Sequence, residues 1–188
     1  GIYSAAYIWI NGKRVGYTQG ANNDSEFRIT QYVRPGKNMV AVEVYRWCDG
    51  SYLEDQDMFR MSGIHRDVYL VATPKVSLRD VRLASSFDDK LENAELEVET
   101  ELCNYGKKRM AVQARVTLLD AEYNQTGQLT VPFVQLASRE ESVCKGVIKV
   151  KKPMLWSAET PYLYTVNIEL LDKDGKVLEA TTQKYGFR

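Results

Sequence analysis

From residue 94 to residue 102 the chain alternates without a break. Ala94, Leu96, Val98, Thr100 and Leu102 stand against Glu95, Glu97, Glu99 and Glu101. Period two marks a β-strand with one face buried and the other in water, because successive strand side chains point to opposite faces. Met110, Val112, Ala114, Val116 and Leu118 repeat the pattern after the turn Asn104-Tyr105-Gly106-Lys107. The outer face of this second strand carries Gln113 and Arg115, which the pattern sets across from the glutamates. The glutamate row is a solvated sheet face rather than a cation site: alternate strand side chains share a direction but do not converge on a point.

The same texture runs to the end of the chain. Residues 142–150 predict a strand, and residues 165–171 and 177–187 a hairpin across Asp172-Lys173-Asp174-Gly175. Seven strands are expected near 76–87, 92–103, 109–119, 127–134, 142–150, 162–171 and 177–187. That number and spacing fit an immunoglobulin-like sandwich. The cysteine pair and buried strand-C Trp of true immunoglobulin domains are missing, so the expectation concerns architecture alone.

Before Pro74 the signals differ. Residues 5–10 are apolar and aromatic, Asn11-Gly12 follows, and Lys13-Arg14-Val15-Gly16-Tyr17 comes next. Asn-Gly between two such runs predicts a tight hairpin. Residues 25–30 predict a short strand, 32–36 a turn, 39–47 a strand, and 66–73 a closing strand. No helix of useful length is evident. The predicted fold class is all-β, with residues 1–73 as part of one β domain and residues 74–188 as a second. About four aromatic strands would leave edges unpaired in the first part. With no initiator Met and a strand entered at once, the chain is expected to be a piece of a longer protein whose partner strands precede Gly1.

Composition excludes several classes. The 25 basic and 25 acidic residues cancel. No basic run supplies the electrostatic footprint of a nucleic-acid binder. No apolar stretch approaches the roughly 20 residues that span a bilayer as a helix. No signal peptide is visible, and the compartment stays open between cytoplasm and periplasm. Cys48, Cys103 and Cys144 are odd in number and widely spaced, so free thiols are expected rather than a disulfide framework or a zinc site. His65 is the only histidine and lacks neighbours for a catalytic triad.

Residues 46–68 stand apart. They bring together acids, aromatics and glycines with neither a helical nor an alternating period. A long irregular insertion between strands is usually functional or disordered. Trp47, Tyr52, Leu53, Met58, Phe59, Met61 and Ile64 give this one apolar anchors, so an ordered ligand-bearing loop is expected. Glu54, Asp55 and Asp57 are candidate carboxylates. Two carboxyls that act together as acid and base must converge in space, and closeness in sequence does not establish that. Ion pairs with Arg46, Arg60 and Arg66 are the expected work of these three acids. Asp49-Gly50 reads first as a turn whose carboxylate caps its own backbone. Trp156, in a Leu-Trp-Ser context before Pro161, reads as an anchor for an interstrand segment.

The run from Trp47 to Met58, with Arg60-Met61-Ser62-Gly63-Ile64, resembles the large, lac-operon-type β-galactosidases of glycoside hydrolase family 2. Asn11-Gly12 with Val15-Gly16-Tyr17, Ser25-Glu26-Phe27, Arg66-Asp67-Val68, Leu155-Trp156-Ser157 with Pro161 and Leu163-Tyr164, and Gly186-Phe187-Arg188 accompany it in family order. The resemblance implies that residues 1–73 are the C-terminal part of a galactose-binding-like jelly-roll domain and residues 74–188 the first immunoglobulin-like domain. The catalytic (β/α)₈ barrel would follow in the same chain. Both catalytic glutamates of the family come from that barrel, so no residue here inherits a catalytic role. Asp49 is the exception among the acids. At its motif position the family's aspartate reaches a galactose hydroxyl and helps bind an alkali cation, and a carboxylate suits both tasks. Gly50 would then free the backbone beside it. Cys48 stands where relatives often carry Ser.

The implied parent hydrolyses terminal β-D-galactosides with retention, uses Na⁺ and Mg²⁺, and forms a homo-oligomer. For the segment itself no cofactor, nucleic acid or membrane is expected. Three readings compete with that of a non-catalytic wall of the galactose subsite. They are a free-standing carbohydrate-binding module, a structural interaction domain, and a segment of another family 2 glycosidase such as a β-glucuronidase or β-mannosidase.

Overall fold

The computed structural model describes residues 1–54, 57 and 59–188. The expected contributions of Asp55, Gln56 and Met58 lie outside the described residues. Two compact units divide the chain, Gly1–Val71 and Ala72–Arg188. Among the described residues the chain is all-β but for one helical turn.

The first unit is built on an antiparallel sheet of β2 (Ala5–Ile10), β3 (Lys13–Gln19) and β4 (Val40–Tyr45), with β2 in the middle. A second, two-stranded pair joins β1 (Ile2–Tyr3) to β5 (Gly63–Ile64). The β2–β3 hairpin turns at Asn11 and Gly12, whose φ angles are 51° and 78°. Two successive positive φ values match the right-handed strand twist, which is why Asn-Gly occupies this turn. The Asn11 side chain also donates to the Tyr32 carbonyl at 2.9 Å and accepts from the Met39 amide at 3.0 Å, tying the hairpin to the start of β4. Ala5, Ala6, Ile8 and Ile10 are buried along β2. After β4 comes α1 (Gly50–Leu53), too short to show a helical period in sequence.

Two expected strands do not form. Residues 25–29 form no strand, and Phe27 instead lays its ring over Gly16. Residues 66–73 are also outside any ladder, with Val68, Tyr69, Leu70 and Val71 all more than three-quarters exposed. β-Propensity marks a residue suited to a half-buried pleated surface, and no described strand pairs with either segment.

The second unit is the immunoglobulin-like sandwich. One sheet has the order β11-β7-β6, from β6 (Val76–Phe87), β7 (Asn93–Asn104) and β11 (Glu140–Lys151). The other centres on β8 (Met110–Leu119), which pairs with β12 (Tyr164–Asp172), itself paired with β13 (Val177–Tyr185). The opposite edge of β8 takes β9 (Gln125–Thr130) and then β10 (Val134–Leu136). These two short strands replace the single one expected at 127–134. Pro132 has no amide to donate, so the ladder breaks there and resumes two residues on. Leu96, Val98, Leu102, Val116, Leu118, Val166, Ile168 and Leu170 face one another across the sheets, each 2% exposed or less. These are the apolar halves of the alternating patterns.

Placing β7 and β8 in different sheets corrects one expectation. Arg115 does not meet the β7 glutamates but donates to Glu169 on β12 at 2.7 Å. The glutamates pair along their own sheet, Glu99 with Lys145 at 2.6 Å and Glu95 with Lys149 at 3.6 Å. Alternation tells which face a side chain takes but not which sheet its strand joins. At the β7–β8 turn, fully buried Asn104 donates to the carbonyls of Lys108 (2.8 Å) and Leu136 (3.1 Å) and accepts from the Gly106 amide (2.8 Å).

The last strand ends at Tyr185, short of the expected 187. Gly186 passes so close to Trp156 that a Cβ would lie 2.9 Å from that residue's own Cβ, and Phe187 then bridges to Leu155. Trp156 donates its amide to the Phe187 carbonyl at 2.8 Å, and the Arg188 guanidinium stands 5.6 Å from the Trp156 ring. Trp156 is therefore the interstrand anchor that its sequence context suggests. No helix among the described residues is long and apolar enough to cross a membrane.

Candidate functional site

Where β4 ends, Ser4 directs both its backbone amide (2.9 Å) and its hydroxyl (3.1 Å) onto the Tyr45 carbonyl. Arg46 then lies over the Trp47 ring at 5.7 Å, and Trp47 stacks on Tyr52 at 6.3 Å. Between these two aromatics the chain makes a tight turn. Asp49 occupies the N-cap of α1 with φ −57° and ψ −39°, and its Oδ1 accepts the Gly50 amide at 2.9 Å. The Tyr52 amide donates to the Asp49 carbonyl at 3.1 Å, and the Glu54 amide to the Gly50 carbonyl at 2.8 Å. The carboxylate of Asp49 thus caps its own turn while the residue remains exposed. Gly50 does not use its freedom to take a conformation that other residues avoid. It sits in the helical turn, where a Cβ would come 3.3 Å from Glu54 Oε1 and 3.4 Å from Cys48 Sγ.

Ser51 escapes sequence inspection. It is 6% exposed, its hydroxyl accepts the Cys48 amide at 3.1 Å, and its own amide donates to the Cys48 carbonyl at 3.0 Å. The available signal is a serine three residues beyond Cys48, the spacing at which a hydroxyl closes a turn on the backbone. Partial burial raises the Cys48 thiol pKa. Hydrogen bonds from the Ser4 hydroxyl, the Ser51 amide and hydroxyl, and the Gly50 amide outweigh that and leave it below its ordinary value. The Tyr17 phenol is raised, first by burial and then by the nearby Cys48 and Asp49 charges.

Among the described residues, which leave out Asp55, the other candidates do not gather here as a pair of reacting acids. Glu54 caps the end of α1, and its carbonyl accepts from Arg60 Nη2 at 3.3 Å. Asp57 is exposed. His65 is exposed, and its backbone amide donates to the Gly1 carbonyl at 3.1 Å. All three cysteines are free thiols, with Cys103 and Cys144 buried. Among the described residues no three His, Cys, Asp or Glu side chains assemble as for a metal ion. Asp49 can therefore offer a cation one hard carboxylate oxygen.

An open groove of about 400 Å³ at the end of the β11-β7-β6 sheet brings Asp88 and Glu95 to one surface. Its chemistry is wrong for glycoside cleavage. The Asn93 side chain at 2.7 Å and the Glu92 amide at 2.8 Å hold Asp88 below its ordinary value, the opposite of what a proton donor requires. Glu95 is engaged by Lys149.

Comparison with known proteins places this geometry in a larger setting. Residues 1–74 match the family described as glycosyl hydrolases family 2, sugar binding domain, and residues 76–188 the family described as glycosyl hydrolases family 2. A β-galactosidase of Priestia megaterium is 42% identical over 189 residues, and one of Erwinia tasmaniensis 41% over 193 residues. Each alignment takes in 100% of this chain but 18% of the relative, so the chain spans about a fifth of the length of these curated relatives. The crystal structure of a Bacteroides uniformis β-glucuronidase superposes with a TM-score of 0.90 at 25% identity, over 100% of this chain and 23% of that one. The family match over residues 76–188 alone exceeds half of the sequence, and the chain belongs to glycosyl hydrolase family 2.

Proposed function

We propose that this chain is a non-catalytic segment of a retaining β-galactosidase. It supplies one wall of the galactose subsite through Asp49 and its loop, and it spaces the sugar-binding domain from the catalytic barrel of the same chain. The observation that carries this reading is the 42% identity to a β-galactosidase along the whole chain. The 25% identity to a β-glucuronidase makes that the weaker specificity. The parent enzyme hydrolyses terminal β-D-galactosides, and Na⁺, Mg²⁺ and a homo-oligomeric assembly belong to it rather than to the segment. Asp49 supports the role chemically. One oxygen is fixed by Gly50, and an exposed carboxylate so oriented accepts hydrogen bonds from sugar hydroxyls and ligates a hard cation.

A free-standing sugar-binding module needs a flat aromatic ledge. The aromatic cluster around Tyr7 is not one. Tyr7 is tilted 51° from Trp9 and 45° from Tyr17, stands edge-on to Tyr45, and is covered by Arg14 at 4.3 Å. These are mutual packing geometries that leave no common stacking plane. The purified 188-residue chain separates the readings. The segment model expects no cleavage of a chromogenic β-galactoside and no saturable heat on titration with lactose. Saturable lactose binding would favour the module, and cleavage free of host enzyme would overturn both.

A further inference from the structure

Asp49 is exposed and sits in a turn of four residues, yet a subsite wall requires a carboxylate that stays in one place. Something buried must hold it. The hydrogen bond from Gly50 fixes the side chain relative to its own backbone but does not fix that backbone relative to the sheet. The remaining bonds converge on Ser51. Its hydroxyl accepts the Cys48 amide and its backbone amide donates to the Cys48 carbonyl, so Cys48, the residue before Asp49, is tied on both its polar backbone groups to a residue that is 6% exposed. Asp49 and Gly50 are the two residues enclosed by this clasp. The hydroxyl proton is directed toward Cys48 Sγ at 3.8 Å, a weak contact that completes the inner side. Among the described residues Asp49 Oδ2 has no hydrogen-bond partner, while Oδ1 is committed to Gly50.

We infer that Ser51 is a positioning residue for Asp49: its buried hydroxyl clamps the Cys48 amide and thereby aims the Asp49 carboxylate at the sugar. This rests on the reading of Asp49 as part of the galactose subsite. Ser51 touches no substrate and acts only through the turn. A misplacement of the order of 1 Å in a contact group commonly costs about 10²-fold in rate. Losing the Ser51 hydroxyl also leaves the part-buried Cys48 amide without its acceptor, so the turn is expected to shift rather than keep its shape.

The test uses the full-length enzyme that contains this segment. Ser51→Ala, Ser51→Cys, Ser51→Thr, Asp49→Ala and the double variant Asp49→Ala/Ser51→Ala are assayed for kcat and KM on a chromogenic β-galactoside. The two variants lacking the hydroxyl are expected to lose about 10- to 100-fold in kcat/KM. Ser51→Thr, which keeps the hydroxyl, should restore most of that loss. In the Asp49→Ala background, removing the Ser51 hydroxyl should cost nothing further, because the group being aimed is gone. Ser51→Cys keeps the volume and guards against a folding failure of the alanine variant. Wild-type kcat/KM in both Ser51→Ala and Ser51→Cys, alongside a damaged Asp49→Ala, would overturn the inference alone. So would equal losses with and without Asp49. Wild-type kinetics in Asp49→Ala would instead remove the reading of Asp49 on which the inference depends.

Discussion

Asn104 offers the clearest test of how the second unit is held. Its side chain has two donors and one principal acceptor, and all are used inside the protein at 2.8–3.1 Å. It joins the end of β7 to the end of β10, linking strands of the two sheets, and its backbone carbonyl also accepts the Arg139 amide at 2.7 Å. Asn104→Ala deletes three hydrogen bonds and leaves three backbone groups without their partners. A net loss of about 1 kcal/mol per bond gives about 3 kcal/mol. The Leu136 carbonyl belongs to a fully buried residue, which pushes the value up; the Lys108 carbonyl lies at an exposed turn, which pulls it down. With a urea m-value of ~1.5 kcal/mol/M, the unfolding midpoint of this unit should fall by about 2 M. Asn104→Asp should be at least as harmful, since it turns an acceptor toward two carbonyls. Urea titration of the 188-residue chain followed by circular dichroism measures both. A midpoint change under about 0.3 M for Asn104→Ala, or an aspartate variant as stable as wild type, would refute the reasoning.

Two further predictions concern ionisation. Glu99 lies below its ordinary value of 4.5, chiefly through the hydrogen bond from Lys145, and Asp88 lies below 3.8, chiefly through Asn93. Folded-state pKa values lower than the unfolded ones stabilise the ionised chain above those ordinary values. The contribution disappears as pH falls through the folded values, so the urea midpoint should drop between about pH 5 and pH 3. A midpoint that rose over that interval would contradict the assignment. Cys48, with its thiol pKa depressed, should be alkylated by iodoacetamide in the folded chain at a lower pH than an ordinary thiol. Cys144, 6% exposed and raised by burial, should stay unmodified. Peptide mapping that found Cys144 labelled as fast as Cys48 would contradict this.

What could be read from sequence followed from physical period. β7 and β8 show alternation because each buries one face, and the Asn11-Gly12 hairpin announces itself through the φ values it demands. Residues 66–73 look like a strand but pair with no described one, because propensity is a property of the segment and pairing a property of its neighbours. Arg115 was set opposite the wrong acids for the same reason. The site shows the same division. Asp49 is singled out by the resemblance to family 2 β-galactosidases, since Asp-Gly by itself reads only as a self-capped turn. Ser51 is not, since nothing in a short polar side chain reveals that it will be buried.

The most direct measurement is kcat/KM for a β-galactoside in the full-length enzyme carrying Asp49→Ala. Loss of a positioned polar contact made in the transition state predicts a decrease of about 10²- to 10³-fold, with the fold unchanged by circular dichroism. Kinetics equal to wild type would mean that this loop is scaffold alone, and that the wall of the sugar site is built elsewhere.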